Sequence, residues 1–335
     1  MKLGHASDLA RMQMLQRQAF TTRGKLDVAA TELTTLQKAS RYEATGGNLT
    51  RLFALERALQ RNTVFADTLA LSETRLDIMQ EGFGRVLKPV EDLAIDLNAA
   101  VGLGDLWAGR LHASTARRAF ADTVGVLNTR VAGQGLFGGT GTDRPAVAPA
   151  ADILAELDAL AAGSATAADA IAAIEAYFAP GGDFFANGYI GSTTDLAAVE
   201  VGDGSRLGYA VRADADEVVS VLRAQALAAV VDGGAFAGDN AAQLELLGAS
   251  GQRMLEARED VLALRAAIGV SQNTVERARA ERTSERETLD MSRARILATD
   301  ELEAASTYQT LQVQLESIYT VTSRLSTLRF SNFIR

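Results

Sequence analysis

Apolar residues recur at alternating steps of four and three along residues 297–335, at the C-terminal end of the chain. That spacing is typical of the a/d stripe of a coiled coil, and the stretch contains no proline or glycine that would break a helix. The stripe consists of Ala304, Tyr308, Leu311, Leu315, Ile318, Thr322 and Leu325. A helix with one such stripe is not stable alone, so we expect a partner helix from this chain or from a neighbour.

A second, weaker stripe predicts a helix over residues 7–38, near the N-terminus. Its members are Leu9, Met12, Ala19, Leu26, Ala30 and Leu33. Gln16 and Arg23 interrupt the stripe, and Gly24 weakens the helix by roughly 1 kcal/mol relative to alanine. Residues 42–48 contain two adjacent glycines and predict a break after this helix.

Two further segments carry long helical patterns. In residues 49–87 mostly apolar positions recur at steps of three and four residues. The same helical period resumes after Pro89 and continues as far as Val101. A helix that continued past the proline would be about 80 Å long at 1.5 Å per residue. Helix returns near Asn240, where an apolar residue recurs every seven positions: Leu247, Met254, Val261, Ile268 and Val275.

The middle of the chain differs in composition from both ends. Three of the four prolines of the protein lie between residues 145 and 180. A helix over residues 105–131 and a glycine-rich turn precede it. Within it the patterns predict short helices at 153–160 and 168–178, a strand near 184–190, a hairpin of 196–201 with 207–213, and a helix at 214–231.

Together these patterns predict a mainly α protein in which both chain ends form long antiparallel helical rods or a coiled coil. A small α+β insert interrupts them in the middle. We expect a terminal coiled-coil domain of residues 1–45 with 290–335, a helical rod domain of 46–144 with 237–289, and an outer insert domain of 145–236.

The composition of the chain disfavours several classes of function. The net charge of −9 disfavours a general nucleic-acid binder, which is more often basic. Cysteine is absent, so neither a disulfide nor a thiolate site is available. The first residues lack the apolar region of a Sec signal peptide, and no apolar run is long enough for a membrane helix, so we expect neither feature.

No motif predicts catalysis, and we expect no catalytic, cofactor or metal site. Gly133, Gly135 and Gly138 form a G-x-G-x-x-G pattern, but it follows a helix and leads into a turn, which favours a flexible corner over a dinucleotide site. His5 and His112 are the only histidines, too few for a clustered metal site. We expect His112 to lie on a helix face rather than to act as a base.

Two other features have ordinary interpretations. Stripes of alanine and leucine commonly form the internal core of a helix bundle, so burial of both stripes within one chain stays open beside assembly between chains. The terminal position of the better stripe favours assembly. Trp107 lies on an amphipathic helix, where a core or interface role is commoner than carbohydrate stacking.

Three segments resemble bacterial flagellins and, more closely, their hook-filament junction relatives, the hook-associated proteins of the third type. Residues 311–328, LQVQLESIYTVTSRLSTL, are similar to the terminal helix of that family. Residues 329–334, RFSNFI, stand where flagellins end in a Leu/Asn/aromatic tail. Residues 135–143, GLFGGTGTD, with Pro145, look like the junction segment YLFSGT-x-T-x-x-P. The first helix and the rod that follows fit the family layout more loosely.

Two departures favour the junction type over the filament subunit. Residues 37–48 lack the Asn/Ser/Asp-rich segment that filament flagellins usually carry after their first helix, and the opening residues also differ. A filament flagellin remains the first alternative. An unrelated coiled-coil stalk carrying a binding domain within residues 145–236 is the second.

The resemblance implies a structural protein of the bacterial flagellum, secreted by type III export, which joins the hook to the flagellin filament. Its implied partners are copies of itself in a ring or helical layer, another hook-associated protein, flagellin subunits and an export chaperone. Neither nucleic acid nor membrane is expected as a partner. The expected assembly interface comprises Leu9, Met12, Leu26, Leu33, Tyr308, Leu311, Leu315, Ile318, Leu325, Phe330 and Phe333.

Overall fold

The structure, a computed structural model, is mainly helical, which confirms the predicted mainly α class. It describes residues 3–202, 204–208 and 211–333, with side chains described between residues 10 and 325 of those ranges. The helices are α1 (Leu3–Thr35), α2 (Arg41–Ala44), α3 (Thr50–Leu103), α4 (Leu106–Leu127), α5 (Ala150–Gly163), α6 (Ala167–Tyr177), α7 (Asp216–Asp232), α8 (Asn240–Leu297) and α9 (Glu301–Phe333). The strands are β1 (Arg130–Val131), β2 (Gln134–Gly135), β3 (Val199–Gly202) and β4 (Ser205–Leu207).

The chain divides into two compact units. The terminal unit comprises Met1–Thr63 and Thr283–Arg335, and the central unit comprises Val64–Arg282. Helices α3 and α8 contribute residues to both units. The expected division into three domains stays a prediction.

Helix α7 lies at the core of the central unit. From Val218 to Val231 every residue is buried except Arg223, so the helix is buried around its whole circumference. A helix of that kind is stable in water only when neighbours cover all its sides. Helices α4, α5 and α6 pack against it, and from α8 the Ser250 hydroxyl donates a hydrogen bond to the Ala224 carbonyl at 2.7 Å.

In the central unit, α3 and α8 pack side by side in opposite directions. The Arg258 guanidinium donates to the Glu91 carboxylate at 3.0 Å, and further along the pair the Gln272 amide donates to Asp77 at 2.7 Å. The residues predicted at seven-residue spacing on α8 are all buried. Helix α3 continues through Pro89, which the sequence had left open, and the period that resumes after this residue belongs to the same helix.

The short elements of the middle confirm the predicted pattern only in part. Strands β3 and β4 form the predicted antiparallel hairpin, with shorter strands. The strand expected near residues 184–190 is wrong, because Phe184–Gly188 forms one turn of π-helix closed by a 2.6 Å hydrogen bond from the Tyr189 amide to the Phe184 carbonyl. The Phe184 ring is buried 5.3 Å from the ring of Phe178, and this aromatic packing overrides strand propensity.

The glycine-rich corner is a two-stranded turn, β1 with β2, followed by a tight loop. Gly139 in this loop has a φ of +58°, and a Cβ there would lie 2.5 Å from the carbonyl oxygens of Ser192 and Thr194. Only glycine tolerates such a close backbone approach. These contacts make the corner a packing site between two loops, in place of the flexible corner expected from the sequence.

Candidate assembly surface

Helices α1 and α9, which carry the two terminal stripes, pack against each other. Backbone hydrogen bonds join the segment that follows α1 to the end of α8 and the connection that leads into α9. The Lys38 amide donates to the Leu297 carbonyl at 2.8 Å, and the Thr299 amide donates to the Leu36 carbonyl at 3.1 Å. These bonds fix the register at which the two helices begin to pack.

On α9 the shielded positions are those that the apolar spacing predicted. Ala304 and Ile318 are buried, whereas Tyr308, Leu311, Leu315, Thr322 and Leu325 are half-buried. Among the described side chains between them, all are exposed except that of Ala305. The α9 seam, as we call these seven positions, is therefore covered only in part by α1.

On α1 the shielded positions differ in part from the prediction. The α1 seam consists of Met12, Leu15, Ala19, Thr22, Leu26, Ala29 and Leu33. The predicted interruptions, Gln16 and Arg23, are exposed and lie off the seam, whereas Thr22 and Ala29 are its most buried members. Small side chains allow close approach of two helices, so their burial at the contact outweighs their modest hydrophobicity.

The residues predicted for assembly lie on these two seams wherever their side chains are described. Met12, Leu26 and Leu33 belong to the α1 seam, and the remaining five to the α9 seam: Tyr308, Leu311, Leu315, Ile318 and Leu325. The side chains of Leu9, Phe330 and Phe333 lie outside the described residues. The α1–α9 contact already involves the described members, and their contact with neighbouring subunits stays a prediction.

Large apolar side chains also lie off the seams, where the periodicity did not indicate them. Phe20 and Leu302 are 82% and 80% exposed, and Met14 and Val313 are 66% and 62% exposed. Single exposed apolar residues are common on protein surfaces, so these four indicate an interface only together with the partly covered seam. The available sequence signal was a large apolar residue at a position that the heptad pattern assigns to solvent.

The outer surface of α9 carries almost no charge. Between Ala304 and Ser323 the only charged side chain is Glu316, and the other polar residues are serine, threonine, glutamine and tyrosine. Removing such groups from water costs less than removing charges, and the centres of protein interfaces are depleted of charge. The combination of a partly covered seam, exposed apolar residues and low charge suits contact with another protein.

The residues considered for chemistry lie elsewhere. His112 is on α4 with its Nδ1 3.5 Å from an Asp96 carboxylate oxygen, and both side chains are part-exposed. Trp107, expected in a core or interface, is 78% exposed near the start of the same helix. In the parts of the chain that the structure describes, no group of three or more His, Cys, Asp or Glu residues is placed to hold a metal ion.

Comparison with known proteins adds no relative. No protein-family profile and no curated protein sequence matches the chain. None of the helices within the described ranges combines the length and the apolar character that a membrane span requires. The geometry of the terminal helix pair and the resemblance of its sequence therefore carry the functional argument.

Proposed function

We propose that this protein is a structural subunit of the bacterial flagellum that joins the hook to the flagellin filament and assembles through its terminal helices. The observation that carries the proposal is the partly covered α9 seam, which coincides with the segment resembling the flagellin terminal helix. Its partners would be further copies of itself, another hook-associated protein and flagellin, after type III export with a chaperone to the extracellular flagellum.

The connection between α1 and α9 supports an antiparallel coiled coil made from both chain ends. The hydrogen bonds at Lys38 and Thr299 lie just after α1 and just before α9, so the chain would run towards this point in α1 and away from it in α9. Two helices in contact shield one stripe on each, but they cannot enclose it. Half-burial of Leu311 and Leu315 is the consequence expected of such a pair.

The energetics suit a switch that operates on assembly. Ordering a residue costs about 1–2 kcal/mol in backbone entropy, and full burial of a seam leucine returns about 1.5–3 kcal/mol. Because seam positions are only about two in seven residues and most are half-covered, burial of the seam alone does not offset the ordering cost. Neighbouring subunits that complete the burial would shift the balance towards order, and head-to-tail contacts of this kind build a helical layer. We therefore predict mobile ends in the free subunit.

Deletion of residues 311–335 tests the proposal in cells whose only copy of the gene carries the deletion. We expect hooks to form while filaments are absent and flagellin is released into the medium, because the adaptor layer fails to assemble. Normal filaments on these cells would contradict the adaptor role. A purified full-length chain that polymerised alone into long filaments would instead indicate a filament flagellin.

A pair of single substitutions distinguishes loss of a surface contact from loss of chain stability. Val313→Asp places a charge on the outer face of α9, and Ile95→Asp places one on a similarly exposed position of α3, the two native side chains being 62% and 68% exposed. We expect secretion of both variants and loss of filaments only with Val313→Asp. Equal filament formation by the two variants would argue against the outer face of α9 as a contact.

A further inference from the structure

A groove lies between α3 and α8 in the central unit, with a volume of about 550 Å³. It is lined by Glu73, Asp77, Gly269, Gln272, Asn273, Glu276 and Arg279. Asp77 accepts a hydrogen bond from Gln272, and Glu73 forms an ion pair with Arg279, so the walls are held in place. Three carboxylates and one guanidinium leave the groove with a net negative charge.

Gly269 lines this groove, and the space beside its backbone is open. It lies in the interior of α8, where glycine destabilises a helix relative to alanine. A Cβ at this position would have no described atom within 4 Å, whereas a Cβ on Gly82 would meet Val126 at 2.8 Å. Gly82 is thus explained by a contact inside the chain, and Gly269 is suited to a contact made from outside.

Helix α1 carries a side chain with the complementary character. Phe20 is 82% exposed, and Arg17 and Arg23 lie three residues before and after it, on the same side of the helix. Both arginines are exposed and form no ion pair with the described residues. One turn after Phe20, Gly24 also has nothing within 4 Å of its Cβ position, so the backbone next to the ring is open to close approach.

We propose that Phe20 of one copy inserts into the Gly269 groove of a second copy, with Arg17 and Arg23 facing the carboxylates of the groove walls. This inference rests on the proposed function, since it supplies one of the contacts between subunits that assembly requires. The occupant is a second copy because the two arginines beside Phe20 are complementary in charge to the acidic walls, and the open floor at Gly269 leaves room for the ring. The contact is heterologous, since it leaves the groove of the first copy and the Phe20 of the second copy available to further subunits.

Engineered cysteines can test the contact. The natural chain has no cysteine, so any disulfide that forms must join the introduced residues. One full-length chain carries Gly24→Cys, beside Phe20, and another carries Asn273→Cys, on the groove wall. The two are mixed at high concentration under mild oxidation, and a disulfide between them reports the contact between copies. We expect a covalent dimer of the two different chains, whose yield falls as salt is raised, because part of the attraction is ionic.

A variant whose groove is filled by a larger side chain gives the decisive test. Gly269→Leu in the Asn273→Cys chain should lower the yield of the mixed dimer at least about tenfold, as expected when an interface anchor loses its pocket. It should not unfold α8, since leucine is a better helix former than glycine and enters open space. Gly125→Leu is the matched control, on α4, where a Cβ also has no described atom within 4 Å, and it should leave the yield unchanged.

Phe20→Ala in the Gly24→Cys chain should reduce the yield to the same extent as Gly269→Leu. Equal yields with and without Gly269→Leu would overturn the groove contact, as would absence of a mixed dimer, which is the result expected if another protein occupies the groove. The cell-based deletion of residues 311–335 tests the adaptor role independently. Loss of filaments in that experiment, with no mixed dimer in this one, would reject the groove and retain the function.

Discussion

Helices α7 and α9 both carry apolar residues that require cover, but they are covered to different degrees. Helix α7 has α4, α5 and α6 against it, and nearly every residue along its length is buried. Helix α9 packs on α1, and the described members of its seam are mostly half-buried. The comparison indicates that the central unit takes its stability from its own core, whereas the terminal unit leaves apolar surface exposed, which the proposed assembly would cover.

The largest effect is expected in the core of the central unit. Leu227→Ala on α7 removes a side chain that is fully buried, so it should lower the free energy of unfolding by about 2–5 kcal/mol through lost burial and a residual cavity. Urea denaturation followed by circular dichroism measures this change. A loss below about 1 kcal/mol would show that the core of α7 is loosely packed and would weaken the comparison.

A gain in stability is expected at Gln225, on the same helix. Its side chain is fully buried, and both polar atoms of its amide lack a hydrogen-bond partner among the described atoms. Gln225→Leu removes the cost of burying those atoms and should raise the free energy of unfolding by about 1–3 kcal/mol. Thermal melting compares the variant with the wild type. A lower melting temperature would mean that Gln225 has a partner in solution, such as a bound water.

A smaller effect is expected in the α9 seam of the free subunit. Leu315 is half-buried, so Leu315→Ala should lower the free energy of unfolding of the free chain by only about 1 kcal/mol. The same variant should impair flagellar assembly strongly, because assembly would bury the remainder of the side chain. Destabilisation of the free chain as large as that from Leu227→Ala would remove the contrast between the two units.

The smallest effect at neutral pH is expected at Tyr189, in the central unit. Burial and the nearby Asp214 carboxylate raise the pKa of the Tyr189 hydroxyl to about 12, and this group donates to the Ser192 carbonyl at 2.7 Å. A raised pKa means that the stabilisation is fully present below the ordinary pKa of about 10 and is lost as the pH rises through 12.

Tyr189→Phe should therefore reduce the alkaline loss of stability between pH 10 and 12. Melting curves across that range provide the measurement, with the wild type at neutral pH as the reference. An identical alkaline loss in the variant would exclude Tyr189 as its source.

The sequence predicted the α9 seam more completely than the α1 seam. All seven positions of the α9 seam were identified, because they are regularly spaced and most of its apolar members are large. The α1 seam was identified only in part, since Thr22 and Ala29 are weak hydrophobic signals that become significant only at a close helix contact. Periodicity reports the strongest stripe on a helix and is insensitive to small residues.

Other features depend on contacts that no local pattern encodes. The run of phenylalanines at residues 184–185 fits a strand by propensity, yet the ring of Phe178, six residues away from Phe184, selects a π-turn. The exposure of Phe20 and the open groove at Gly269 likewise follow from the packing of helices that are distant in sequence. A glycine inside a helix gives no sign of whether its neighbour belongs to the same chain or to another one.

Hydrogen exchange of backbone amides in the free, full-length chain tests the central claim most directly. We predict rapid exchange along α1 and α9, because their packing leaves the seams half-covered, and slow exchange along α7. After incorporation into flagella, the α9 amides should become as protected as those of α7. Equal protection of α9 and α7 in the free chain would contradict the claim that the terminal unit is completed by its neighbours.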